Sequence, residues 1–314
     1  MRHNRENGAK IDPKSIVRAA IEKARDLEPW RDYYRLRAAE MDAIFSICKI
    51  GAVGKVLEVG CGNGFVSAIL SGRAGEVVAS DLMRADPGTH SVGILKAAEL
   101  FERLGVNNCR VVSCSCEDLP FDSGKFDLVL CAYTLEHVPD RVKALKEVRR
   151  VLKDGGRAIF IVPAFMERLL YPTRYYSEII IKAMKAVCSG KVAGKESGSV
   201  HNETGTAGPS GSAWGKFRKS YPYFPMPDTH GEYPGYFSEL VRSLSFFWSS
   251  LIRKSGFTIK EMFTIGLVPR SFMAVLLGGR SLDLYEKTLW VNKKLGKNAL
   301  LKHVGENLCF MLEK

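Results

Sequence analysis

The sequence predicts an α/β fold: a doubly wound, mostly parallel sheet of seven strands with an N-terminal helical cap and a long insertion between strands five and six. Three observations carry this reading. From residue 55 onward short apolar runs alternate with amphipathic stretches, and parallel neighbours need such crossover connections. The runs are apolar almost throughout, as in strands covered by helices on both faces. The first run also enters a glycine-rich turn that leads straight into a helical pattern, an arrangement typical of the first strand in sheets that bind nucleotides.

Residues 1–50 form an N-terminal helical segment. Pro13 suits a first helical turn, Pro29 ends that pattern, and apolar periodicity resumes from Trp30 to Ile50 before Gly51 and Gly54 stop it. Residues 51–162 are the sheet core. KVLEV, EVVASD, CRVVSCS, FDLVLCAY and RAIFIVP read as strands, with helices over FVSAILSGRA, SVGILKAAELFERLG and RVKALKEVRRVLKDGG. Residues 163–255 break the rhythm as a long insertion. MERLLYPTRYYSEIIIKAMKAV reads as helix broken at Pro172, the Gly/Ser-rich stretch 189–215 as a mobile loop, and VRSLSFFWSSLIRKSG as a helix. Within 256–280, FTIKEMFTIG and SFMAVLLGG read as the closing strands, and 281–314 as a helical segment interrupted near Gly296.

The composition is that of a globular protein: 46% hydrophobic, 25% charged and 10% aromatic over 314 residues. It excludes collagen, wholesale disorder and a coiled-coil rod. No run reaches the ~18 apolar residues of a membrane span, and MRHNRENGAK lacks the apolar core of a secretion signal, so a cytoplasmic location is expected. The eight cysteines include no CxxC pair, and Cys109, Cys114 and Cys116 have the wrong spacing for zinc. They read as small apolar residues in a reducing compartment. The net charge of +12 lies outside a neutral centre, since residues 51–162 hold 14 basic and 14 acidic side chains. No Lys/Arg run or aromatic-basic interleaving marks a nucleic-acid surface, so nucleic acid is not the expected partner.

The chemistry lies in VLEVGCGNG, residues 56–64. Glycines at a strand-to-helix turn let backbone approach a ligand where a Cβ would clash. Phe65 stands where the dinucleotide fingerprint GxGxxG needs its last glycine, which argues against a nicotinamide oxidoreductase. Asp81, at the tip of the second strand, is placed to accept hydrogen bonds from a ribose.

With ExGxGxG, the acid ending strand two, EDLPFDSGKFDLVLCAYTLEHVPD and ALKEVRRVLKDGG in this order, the chain resembles the class I S-adenosylmethionine-dependent methyltransferases, within the methyltransferase type 11 group. The resemblance covers about residues 50–162 and the closing strands, and implies a Rossmann-like fold, methyltransferase activity and S-adenosyl-L-methionine as cofactor. It implies that Glu58 and the turn Gly60, Cys61, Gly62, Asn63 and Gly64 cradle the methionine part, and that Asp81 with Leu82 holds the ribose. Ser115, Cys116 and Glu117 would border the adenine, and Cys131 and Ala132 would close the site from strand four. The chain departs from the family at Ser115, where an acid is usual. His137 is the candidate general base, since imidazole titrates near neutrality and can take a proton from an acceptor; a helix-capping role is the alternative. Metal-dependent relatives carry ExxEH here, whereas this chain has Tyr133 in place of the first acid, so no metal is expected.

The acceptor expected is a small molecule, or one linked to a lipid or saccharide, bound under the insertion. Tyr133, Tyr171, Tyr175, His230 and Tyr233 are its candidate contacts, and each aromatic could equally belong to an ordinary core. Amphipathic YYSEIIIKAMKAV and FFWSSLIRK suit either packing or peripheral contact with a membrane. An RNA methyltransferase and a non-catalytic cofactor-binding protein are the competing readings.

Overall fold

A computed structural model describes residues 31–83, 94–188, 229, 232–267 and 281–314. Seven strands make one sheet: β1 (Val53–Val59), β2 (Ala74–Asp81), β3 (Cys109–Ser113), β4 (Phe126–Ala132), β5 (Leu152–Pro163), β6 (Thr258–Ile265) and β7 (Asn307–Glu313). Their order is β3-β2-β1-β4-β5-β7-β6, with β1 to β5 mutually parallel and β7 antiparallel to both its neighbours. The helices are α1 (Arg31–Ile47), α2 (Phe65–Ser71), α3 (Leu95–Leu104), α4 (Arg141–Val151), α5 (Phe165–Cys188), α6 (Tyr236–Arg242), α7 (Ser245–Lys254) and α8 (Ser281–Leu295). This mixed sheet flanked by helices is the Rossmann-like arrangement expected.

Alternation along the strands builds a core on each face. Val56, Val77, Leu128, Leu130, Ile159 and Ile161 point toward α1, α2 and α8, where Met41, Ile44, Phe45, Phe65 and Tyr285 are buried with them. Their neighbours Leu57, Val78, Val129, Ala158 and Phe160 point the other way, toward α4 and α7 with Leu145, Val148 and Trp248. Successive residues facing opposite covered faces account for runs that are apolar throughout.

Three expectations need correction. Residues 281–314 are not helical to the end: α8 stops before Gly296, and Asn307–Glu313 form β7. Leu308, Phe310 and Leu312 face one core while Cys309 faces the other, so the run is apolar throughout, and periodicity alone does not separate such a short, doubly buried strand from a buried helical segment. β7 pairs with β6; SFMAVLLGG lies outside the described residues. The stretch read as one helix before β6 is two, since α6 ends at Arg242 and α7 begins at Ser245. The helix proposed before Pro29 and the 189–215 loop also lie outside the described residues.

The third correction concerns Pro172, which does not break α5; the helix runs through it from Phe165 to Cys188. A helical proline lacks the N–H that would bond the carbonyl four residues back, here that of Arg168. That carbonyl instead accepts a hydrogen bond from the Tyr236 hydroxyl at 2.5 Å, within a buried contact of α6. The Arg168 guanidinium is itself buried and donates to Glu239 of α6 at 3.0 Å and to Glu167. Tyr236→Phe should therefore lower stability by about 1–3 kcal/mol through an unsatisfied buried carbonyl, measurable as a shift in the denaturant midpoint with an unchanged slope.

Candidate functional site

β1 delivers its last residues, Leu57, Glu58 and Val59, to the centre of the sheet, and the chain then turns through Gly60, Gly62 and Gly64, all in the left-handed region with φ of 72°, 53° and 79°. Each glycine answers a different constraint. A Cβ on Gly60 would run into the Thr134 side chain, and one on Gly64 would lie 2.7 Å from the Cβ of Ala97 on α3. Gly62 has nothing within 4 Å of its Cβ position, because it faces a cavity of about 490 Å³. A side chain at residue 62 would enter that space. Ligand sites commonly enclose such a volume.

The cavity sits at the carboxyl ends of β1, β2 and β4. From β1 and its turn it takes Glu58, Val59, Gly60, Cys61, Gly62 and Asn63, and from β2 Ser80, Asp81 and Leu82. The loop after β3 supplies Cys114 to Glu117, and β4 and its following turn supply Ala132, Tyr133, Thr134 and His137. Asp81 is held by two backbone donors: Gly62 N–H to Oδ2 at 2.6 Å and Leu82 N–H to Oδ1 at 2.7 Å. The Ser115 hydroxyl accepts from the Glu117 N–H at 3.1 Å. Glu117 in turn accepts from the Asp140 N–H at 2.7 Å, tying this loop to the start of α4. Burial pushes the Cys114 thiol up and that of Cys116 to about 12, so both stay neutral and act as apolar wall.

Glu58 is buried and bonded to the Ser67 hydroxyl of α2, while its backbone carbonyl accepts from the Ser80 hydroxyl at 2.9 Å. It therefore joins three elements beneath the turn. Tyr133 is one of two described non-glycine residues with positive φ, at 55°. Its N–H is fixed to the Ile161 carbonyl at 2.9 Å, its hydroxyl donates to Glu40 at 3.3 Å, and the Arg37 guanidinium lies 3.8 Å from its ring centre.

Of the residues singled out in the sequence, Gly64 and Cys131 are not among those lining the cavity. Gly64 packs on α3, and Cys131 is fully buried in the core over α4. Tyr171, Tyr175 and Tyr233 do not line it either. Tyr171 lies against Arg168 and Tyr175, and Tyr233 lies against Arg141, which fixes the insertion by donating to the carbonyls of Glu136 and Glu232 at 2.8 and 3.1 Å. His230 lies outside the described residues. Sequence reasoning missed Arg37, Phe65, Val66, Thr134, Val138 and Pro139 in the wall. It also missed Glu136, buried beside His137 with both carboxyl oxygens lacking a hydrogen-bond partner and pushed by burial up to about 8. Among the described residues no group of three or more His, Cys, Asp or Glu could hold a metal ion.

Glycine turn, anchored acid at the β2 tip and cavity volume together fit a nucleoside-type cofactor. Burial, with the nearby Asp81 charge adding to it, pushes the Glu58 carboxyl up to about 8 against the lowering effect of the Ser67 hydroxyl. The folded protein holds this proton through a range in which the unfolded chain has released it, so this group's stabilisation is full below about pH 4.5 and is lost as pH rises toward 8. Glu58→Gln should flatten that part of the stability profile between about pH 5 and 8, read by denaturant titrations of both proteins across the range; parallel profiles would contradict it.

Residues 57–160 match the methyltransferase domain family Methyltransf_11. The chain is 38% identical over 112 residues to the ubiquinone/menaquinone biosynthesis C-methyltransferase UbiE of Idiomarina loihiensis, covering 34% of this chain and 41% of that protein. It is 38% identical over 108 residues to the demethylmenaquinone methyltransferase of Staphylococcus carnosus, covering 33% and 41%. To the tRNA U34 carboxymethyltransferase of Campylobacter fetus it is 30% identical over 196 residues, 54% of this chain and 64% of that one. The chain thus spans about two fifths of the first two relatives and under two thirds of the third. Glycine turn, Asp81 and the 115–117 loop all fall inside the matched segment, so the part of the chain that builds the cavity is the part that is similar to methyltransferase domains.

Proposed function

We propose that the whole protein transfers the cofactor's methyl group to a small, largely apolar acceptor whose nucleophile is an ionisable hydroxyl or a ring carbon activated by one. The observation that carries this reading is the juxtaposition, in one cavity, of the glycine turn, Asp81 and His137 with a wall of Val59, Phe65, Val66, Leu82, Val138 and Pro139. The likeness to quinone C-methyltransferases supports an aromatic ring acceptor, including one that carries a lipid chain.

Bound S-adenosylmethionine supplies a methyl on a positively charged sulfur, already activated for displacement. The chain's own residues position and exclude. Asp81 receives the ribose hydroxyls, while Ser115, Cys116 and Glu117 border the adenine. The Gly62 backbone allows close approach because no Cβ intervenes. His137 accepts the proton of the acceptor hydroxyl, which makes the nucleophile electron-rich when it faces the methyl. Apolar walls and neutral thiols keep water from competing. Most of the remaining effect comes from alignment of nucleophile, methyl and sulfur.

The match to a tRNA-modifying protein and the net charge of +12 favour an RNA acceptor as a second reading. One assay separates the two. Supplied with methyl-labelled cofactor, the protein should label a short-chain prenyl hydroquinone and leave total tRNA unlabelled; label in tRNA alone would reverse the assignment. In the same assay His137→Ala should lower kcat by roughly 100-fold or more while cofactor affinity is retained. A change below about twofold would leave His137 a structural residue.

A further inference from the structure

Exposed apolar side chains and net charge fall in the same parts of the chain. Of the fifteen large apolar side chains that are exposed among the described residues, twelve lie outside residues 51–162. That central stretch holds equal numbers of basic and acidic side chains, so the flanks carry all of the net charge of +12. Single exposed apolar residues are ordinary, whereas a contiguous set of them marks an interaction site.

Contacts join this set. On α5, Leu169, Tyr176, Ile180 and Met184 are exposed, and their spacing places them on one helix face; Arg168 and Tyr175 are buried. The Arg168 carbonyl and guanidinium hold α6 through Tyr236 and Glu239. On α6, Phe237 packs beside Tyr236 and is 69% exposed, with exposed Val241 one turn further on. At the corner into α7, Phe246 is 65% exposed, and the hydroxyl of the adjacent Ser245 is bonded to His303 at 2.7 Å. That bond brings in the short turn Leu301–His303, flanked by Leu300, 80% exposed, and by exposed Val304.

The set lies at the end of the sheet that holds the cavity. β5 and β6 end at Pro163 and Ile265, each opposite Asn307, where β7 begins. The Glu232 N–H donates to the Glu136 carbonyl at 3.0 Å, which ties the approach to α6 to the turn carrying His137.

Charge decides the occupant. Residues 287–305 hold five lysines and no acid. Lys293 and Lys297 are paired with Asp42 and Glu261, while Lys302 borders the apolar set, as does Arg242 at the end of α6. Glu167 and Glu239 are taken up by Arg168, and Glu232 is exposed at the margin. Two copies at +12 each repel one another, whereas apolar protrusions bordered by lysine and arginine suit negatively charged headgroups. Among the described residues no helix is long and apolar enough to cross a membrane, so the contact is one of surface. We propose that the exposed face of α5, the α6–α7 corner and the Leu301–His303 turn docks on an anionic lipid surface and sets the cavity beside it. Its purpose, bringing an acceptor with a lipid chain to His137, rests on the acceptor reading above; the docking does not.

Flotation with vesicles tests the docking without turnover. The protein should float with phosphatidylcholine vesicles in which about one third of the lipid is phosphatidylglycerol, and bind vesicles of phosphatidylcholine alone roughly 10-fold more weakly or worse. Phe237→Ser with Phe246→Ser should weaken binding to the anionic vesicles roughly 10-fold or more, and Lys302→Gln by about three- to fivefold. These residues lie outside the cavity wall, so calorimetric affinity for S-adenosylhomocysteine should stay within about twofold and report that the variants are folded. No binding to anionic vesicles, or binding that the phenylalanine pair does not change, overturns the proposal. So does a protein that is dimeric by light scattering and becomes monomeric in the phenylalanine variant, since a second copy would then be the occupant. Vesicle binding by a protein that labels no prenyl acceptor would overturn the acceptor reading and leave the docking standing.

Discussion

The hydrogen bond from the Gly62 N–H to the Asp81 carboxylate, 2.6 Å long, is the contact on which the site depends. It joins the tips of two adjacent parallel strands and fixes at once the path of the glycine turn and the direction of the acid. The turn can follow that path only because Gly60 leaves room for Thr134 and Gly64 leaves room for Ala97. Beneath it, Glu58 ties β1 to Ser67 of α2 and to Ser80 of β2. A concave, backbone-lined space with a carboxylate at its rim follows from these constraints together.

Much of this was legible in the sequence because it is local. A strand, a glycine turn, a helix and an acid at the next strand tip lie within residues 53–81, and each is signalled by neighbours a few positions away. What the sequence hid depends on contacts across space. β7 was hidden because Leu308 to Leu312 serve two cores at once and carry no one-sided alternation. The continuity of α5 through Pro172 depends on a hydroxyl from Tyr236, far along the chain. Gly60 was recognisable as a turn residue, but its reason, the Thr134 side chain, sits in the turn after another strand, β4.

The same distinction divides the cavity. Its family-matched part, residues 57–160, holds the glycine turn, Asp81 and His137. The remaining wall comes from α1, and α1 is braced by α8 through Tyr285 and Glu40. Arg37 lies on a helix with ordinary apolar periodicity and no motif, so only the fold brings it to the cavity. The aromatics of the insertion behave in the opposite way. Tyr171, Tyr175 and Tyr233 looked like acceptor contacts, and the two arginines that hold the insertion, Arg168 and Arg141, account for Tyr171 and Tyr233 in packing terms. Buried guanidinium groups draw aromatic faces to them, which composition alone does not distinguish from a binding pocket.

The central claim is that one cavity at the carboxyl ends of β1, β2 and β4 holds the cofactor in a single orientation. A crystal structure of the protein with S-adenosylhomocysteine tests it most directly. The account predicts ribose hydroxyls on the Asp81 carboxylate, the base beside Ser115 to Glu117, and the sulfur over the glycine turn on the side of His137. A ligand bound in the reverse sense, or outside this cavity with Asp81 still closed on Gly62 and Leu82, would contradict it.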